Sequence, residues 1–195
     1  MEANWFIALP FPPESLPREE LHGLPAGTRA FEPADLHVTV AFLGAVGERC
    51  ALDAWRQLDV GDALPLSATI GPRALFGSPR RPSALGLDLD PDTDESALTR
   101  FIAERRNGLR AAAGLAPEQR TVRPHLTLGR PPRRTDAAWQ RALAAWIDRP
   151  AAHAPATLER IALYTRAEPG DRRRFREVRS CPAPSTDRSG ATDRH

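Results

Sequence analysis

Apolar residues along this chain fall into short β-type runs and helical stripes of spacing three and four, most of them closed by proline or glycine. Trp5-Phe6-Ile7-Ala8-Leu9, stopped by Pro10, Pro12 and Pro13, reads as a buried strand leaving a sheet. Pro17 opens a short helix to Leu21, since proline fits the first turn of a helix and no deeper. After the turn Glu32-Pro33-Ala34-Asp35, residues Leu36 to Leu43 form a β-rich strand that ends at Gly44. A helix from Arg49 to Leu58 carries Leu52, Trp55 and Leu58 on one face. Leu66 to Ile70 and Ala84 to Leu89 read as a hairpin whose long basic tip runs from Phe76 to Pro82. Leu98, Phe101, Ile102, Arg105 and Leu109 predict a helix that starts after the cap-rich stretch 90–94 and ends near Gly114. Thr121 to Arg130 is a strand with Pro124 near its start, where a missing ladder donor is tolerated. A helix from Asp136 to Ile147 precedes two last strands, Leu158 to Thr165 and Phe175 to Cys181, joined across 168–171. Beyond Pro182 no large apolar residue remains, so 1–182 reads as one domain and 183–195 as a disordered tail.

Two of these strands contain a histidine, 88 residues apart at similar places in the two halves, which suggests two similar lobes facing each other. Composition adds bounds. With 41% hydrophobic residues a chain of 195 can fill a core. No run approaches the roughly 18 apolar residues that span a bilayer, and Met1-Glu2-Ala3-Asn4 lacks a basic leader, so a cytoplasmic protein without a membrane partner is expected. Cys50 and Cys181 show no C-x-x-C spacing and read as reduced packing residues. The net charge is +2 and every basic residue is arginine, which suits phosphate recognition. A total absence of lysine fits codon bias better than selection for RNA, so charge alone selects no partner.

The chemistry lies in the histidine strands. Residues two apart in a strand share a face, so His37 with Thr39, and His125 with Thr127, each present an imidazole beside a hydroxyl, while Val38, Val40, Leu126 and Leu128 turn to the apolar layer. A single His-x-Thr strand is common and usually structural. Two copies, each framed by a turn residue and glycine, point to a shared site.

Leu36-His37-Val38-Thr39-Val40-Ala41-Phe42-Leu43-Gly44 and Arg123-Pro124-His125-Leu126-Thr127-Leu128-Gly129-Arg130 resemble the paired His-x-Thr-x motifs of the 2H phosphoesterases, and in particular their RNA 2′,3′-cyclic phosphodiesterase branch, also called 2′-5′ RNA ligases. Trp5 to Leu9, Phe76 to Leu89 and Ile161 to Thr165 resemble that branch too, so the likeness spans most of residues 4 to 181. Departures are Asn4 in place of a basic residue, Phe175 in place of a tyrosine, and Ala84-Leu85-Gly86 without a tryptophan. The resemblance implies an α+β, bilobal fold, two pseudo-symmetric lobes of antiparallel sheet with outer helices around a central cleft. It implies hydrolysis of RNA 2′,3′-cyclic phosphate ends, such as those of tRNA fragments, to 2′-phosphates, with a reversible 2′-5′ ligase reaction, by a monomer that needs no metal and no cofactor.

Such a reaction needs one group to take a proton from water and another to give one to the leaving ribose oxygen, and histidine titrates in the right range. The resemblance makes His37 the proton donor and His125 the acceptor; the motifs themselves do not break the symmetry. Thr39 and Thr127 are placed to donate to the phosphate oxygens. Arg130 matches a family arginine and reads equally as a phosphate ligand or a solvated strand end. Arg80, Arg81, Arg133 and Arg134 form a candidate rim for an RNA backbone, though ordinary surface solvation accounts for each singly. His22, His153 and His195 read as surface or tail residues. Three alternatives stay open: a small cyclic nucleotide or ADP-ribose cyclic phosphate as substrate, a non-catalytic module that binds RNA ends, and a zinc hydrolase built on His37, His125 and Asp35.

Overall fold

The structure, a computed structural model, describes residues 4–78, 81–91, 95–150 and 152–182. Nine strands, β1 (Trp5–Pro10), β2 (Arg29–Ala30), β3 (His37–Gly44), β4 (Leu66–Ser78), β5 (Arg81–Leu89), β6 (His125–Arg130), β7 (Pro155–Leu158), β8 (Arg160–Arg166) and β9 (Phe175–Pro182), form an antiparallel sheet ordered β7-β4-β5-β6-β3-β1-β8-β9, with β2 paired to β6. Four helices accompany it, α1 (Arg18–His22), α2 (Glu48–Arg56), α3 (Ala97–Ala112) and α4 (Ala137–Ile147). The fold is the α+β arrangement expected.

The sheet is pinched at its centre. β3 and β6 share one registered pair, Val38 with Leu126, whereas their outer neighbours pair over many residues. The halves on either side mirror each other, β3-β1-β8-β9 and β6-β5-β4-β7, each with its histidine strand innermost. The lobes are not successive halves of the chain. Leu158 to Thr165, read from sequence as one strand, is two: β7 ends at Leu158 on β4 of one lobe, and β8 begins at Arg160 on β1 of the other. That step carries the chain back to the first lobe.

The helices cover one face only. Leu98, Phe101, Ile102 and Leu109 of α3, Ala51 and Ala54 of α2, and Trp139, Leu143 and Trp146 of α4 bury into the same cluster as Val38, Val40, Leu126 and Leu128. Ser96 caps α3 by accepting from the Thr99 amide at 3.0 Å, and Asp136 caps α4 by accepting from the Trp139 amide at 2.7 Å. The cap-rich stretch expected to start α3 lies largely at 92–94, outside the described residues. Arg73 enters this layer beside Trp146 with its charge neutralised by buried Glu20, and its guanidinium also donates to the Arg149 and Pro150 carbonyls.

Other boundaries moved for local reasons. The basic tip expected over Phe76 to Pro82 is mostly ladder, since Phe76 pairs with Ala84 and Ser78 with Arg81. The strand expected from Thr121 begins at His125. β2 escaped notice because two residues carry no period. Cys181 packs partly buried against the core, but Cys50 is exposed on α2, so the packing role expected for it is not what the fold gives it. His22 and His153 are exposed, and His195 and the expected tail lie outside the described residues. No helix among the described residues is long and apolar enough to cross a membrane.

Candidate active site

Counting outward from the Val38–Leu126 pair in an antiparallel ladder sets His37 opposite Thr127 and Thr39 opposite His125. The two motifs thus cross, and their four polar side chains share the face that the helices leave open. All four are half-buried.

Each imidazole is held in the same way. Nδ1 of His37 lies 2.6 Å from the Asp35 carbonyl oxygen, and Nδ1 of His125 lies 2.8 Å from the Arg123 carbonyl oxygen. A carbonyl only accepts, so Nδ1 carries the proton in both rings and Nε2 is the nitrogen left for proton transfer. Asp35 is itself pinned: its buried carboxylate accepts from the backbone amides of Arg174, at 2.9 Å, and Phe175, at 3.2 Å. That commits the carboxylate a zinc site would need, and no group of three His, Cys, Asp or Glu among the described residues is arranged to hold a metal ion.

Aromatic walls support both rings. Phe6 stacks on His37 at 4.7 Å between centroids, and Phe175 meets it edge-on at 5.2 Å. Phe76 stacks on His125 at 4.2 Å. Gly86 makes room for Phe76: a Cβ there would collide with the Leu126 carbonyl oxygen and crowd the Phe76 ring. The strand that lacks a tryptophan is therefore covered by a neighbour's phenylalanine. Phe175, in place of a tyrosine, makes T-shaped contacts with His37, Phe6 and Phe31.

Two bulges complete the face, and strict alternation hides both. Adjacent Leu85 and Gly86 pair with Gly129 and Thr127, leaving Leu128 as an extra residue in β6; adjacent Ile7 and Ala8 pair with Ala41 and Thr39, leaving Val40 extra in β3. Each bulge shifts the side-chain parity by one. Arg130, five residues after His125, and Phe42, five after His37, thereby turn onto the open face although an odd spacing would send them to the core. Phe42 pairs with Phe6 of that face and is 53% exposed. Simple alternation puts it on the wrong side.

The electrostatics are unequal. Burial pushes His37 down to about 4, with the His125 and Arg130 charges acting the same way. Burial also lowers His125, but Asp88, across the strand from it and in a bidentate pair with Arg123 at 2.7 and 2.8 Å, pulls the other way. Arg130 donates to the Ser83 carbonyl at 3.0 Å, and its charge is felt by both histidines. Of the arginines expected to form a rim, Arg81, Arg133 and Arg134 are exposed and Arg80 lies outside the described residues.

The 2′-5′ RNA ligase superfamily model matches residues 12–170. Among solved structures, one titled only as a phosphoesterase superposes with a TM-score of 0.67 at 18% identity, covering 95% of this chain and 100% of that one. E. coli LigT complexed with 3′-AMP gives 0.65 at 19% over the same shares, and TT0787 of Thermus thermophilus gives 0.62 at 18% over 92% and 97%. At these identities the likeness is one of fold. No curated protein matches the sequence. The family match over most of the chain, on a fold that crosses two His-x-Thr strands at the centre of one sheet, makes this protein a member of the 2′-5′ RNA ligase superfamily of 2H phosphoesterases, with an activity of the phosphodiesterase or RNA-ligase type.

Proposed function

We propose that the protein opens 2′,3′-cyclic phosphate ends of RNA to 2′-phosphates, without a metal, by general acid and base catalysis from His37 and His125. The observation that carries this reading is the crossed motif pair: two imidazoles with the same tethered Nδ1, two threonine hydroxyls between them, and one face. A cyclic phosphodiester seated there has an Nε2 for the attacking water and an Nε2 for the departing ribose oxygen. Thr39 and Thr127 donate to its non-bridging oxygens, and Arg130 adds positive charge. E. coli LigT, of the same fold, has been crystallised with ATP, NADP+, 3′-AMP and phosphate, all of which bear phosphate. With a 5′-hydroxyl in place of water as the nucleophile, the same ring opening forms a 2′-5′ phosphodiester while the 3′ oxygen leaves as a hydroxyl, and the reverse of that step regenerates the cyclic phosphate and the 5′-hydroxyl.

The test is a short RNA ending in a 2′,3′-cyclic phosphate, incubated with the protein and excess EDTA, with the product end identified. A 2′-phosphate is expected. An end untouched both with and without EDTA would favour the non-catalytic module, and an end opened only when EDTA is left out would restore the metal reading.

Phe42 supplies the apolar surface against which a terminal base stacks. Phe42→Ala is expected to raise KM by roughly 5- to 150-fold with little change in kcat, given about 1–3 kcal/mol for base stacking on an aromatic side chain. An unchanged KM would remove Phe42 from the binding surface.

A further inference from the structure

Beside the histidines, at the end of the site where β2 joins β6, three guanidinium groups converge. Arg29 pairs directly with Arg130 across the β2–β6 ladder, so the two side chains share a face. Arg174 comes from the loop before β9: its guanidinium lies over the Phe31 ring at 4.9 Å and donates to the Arg29 carbonyl. All three are held by carbonyl oxygens, Arg29 by Pro131 at 3.1 and 3.2 Å and Arg130 by Ser83. None of them is ion-paired to a carboxylate among the described residues. The nearby Asp35 carboxylate faces the backbone amides of Arg174 and Phe175.

Two other arginines of the sheet region are paired instead, Arg73 with Glu20 and Arg123 with Asp88. The convergence has a cost, since burial and the charges of Arg174 and Arg29 all lower the Arg130 pKa. Fixed like charges with spare donors and no carboxylate partner among the described residues are an arrangement that an external anion would neutralise.

We propose that Arg29, Arg130 and Arg174 form a second anion site that takes the internucleotide phosphate on the 5′ side of the terminal nucleotide, so that the preferred substrate is an oligonucleotide and not a free cyclic mononucleotide. The inference rests on the cyclic-phosphate reading above. Arg130 faces both histidines and joins the two sites, while Arg29 and Arg174 serve only the outer one. Arginine suits the task because its fork meets two phosphate oxygens at once.

The experiment compares kcat/KM on adenosine 2′,3′-cyclic phosphate, on the dinucleotide ApA 2′,3′-cyclic phosphate, and on that dinucleotide with a neutral methylphosphonate linkage. The charged dinucleotide is expected to exceed the other two by roughly ten- to a hundredfold, the range of one charge-assisted hydrogen bond. The double variant Arg29→Gln/Arg174→Gln is expected to erase that advantage and leave the mononucleotide rate within about twofold. Equal rates on the charged and neutral dinucleotides with wild-type protein would overturn the second site while leaving the reaction intact. Equal losses on mononucleotide and dinucleotide in the double variant would overturn it as well. Turnover of none of the three substrates would sink the cyclic-phosphate reading, and the second site with it.

Discussion

Alanine at His37 or at His125 is expected to lower kcat on an RNA 2′,3′-cyclic phosphate by roughly 10²–10⁴-fold, the usual contribution of a positioned acid or base. Each ring is anchored through Nδ1 to a main-chain carbonyl and walled by phenylalanine, so truncation empties a space on an open face and leaves the helix-covered core alone. The double variant should fall little below the weaker single one, because groups that move one proton pair act as a unit. Single variants that keep most of the activity would remove the two-histidine mechanism.

The same measurements assign the roles. Family resemblance makes His37 the acid, whereas the field of Asp88 favours the proton on His125, and burial favours neutral His37. With a p-nitrophenyl phosphodiester the leaving group needs no proton, so the variant lacking the acid should recover and the one lacking the base should not. The pH profile follows from the directions. Both histidines are pushed below the ordinary value of about 6.5 in the free protein, so the form with one proton on the pair is most populated on the acid side. The maximum of kcat/KM is therefore expected below pH 6.5, with a decline from there through pH 8. A bound phosphate favours the protonated form, so the kcat profile should sit higher than that of kcat/KM. A maximum above pH 7.5 in kcat/KM would contradict the burial of both rings.

The sequence made His37, Thr39, His125 and Thr127 legible because period-two alternation is a property of any strand and the motif occurs twice. The helices were legible for a similar reason, since Leu98, Phe101, Ile102 and Leu109 mark a face by spacing alone. What alternation could not show is where it breaks. Val40 and Leu128 look like ordinary core positions, and nothing local marks them as the extra residues that bring Phe42 and Arg130 round to the site. Phe76 was hidden by its setting, a glycine, serine and proline stretch that reads as a loop but runs as ladder up to Ser78. Asp35 read as a turn residue; its grip on the amides of Arg174 and Phe175 spans some 140 positions, and no local pattern carries such a contact. Glu159 separates two strands of different lobes, a choice made by pairing partners far away in the chain.

Valine at Thr39 or Thr127 is expected to lower kcat by about 10²–10³-fold, as loss of one donor to a developing negative charge does. The hydroxyls suit that role because no protein group among the described residues engages them, although each sits half-buried between two imidazoles. An unpaired hydroxyl on such a face is left to solvent or substrate. Valine keeps the β-branch that the strand favours and removes only the donor, so the fold is retained and the change reads out chemistry. Because charge on the phosphate oxygens grows in the transition state, the loss should fall on kcat more than on KM. Serine keeps the donor and should restore most of the rate. A valine variant within threefold of wild type, or a serine variant as slow as valine, would show that the threonines only space the strands, leaving the charge on the phosphate to Arg130 and to the protonated imidazole.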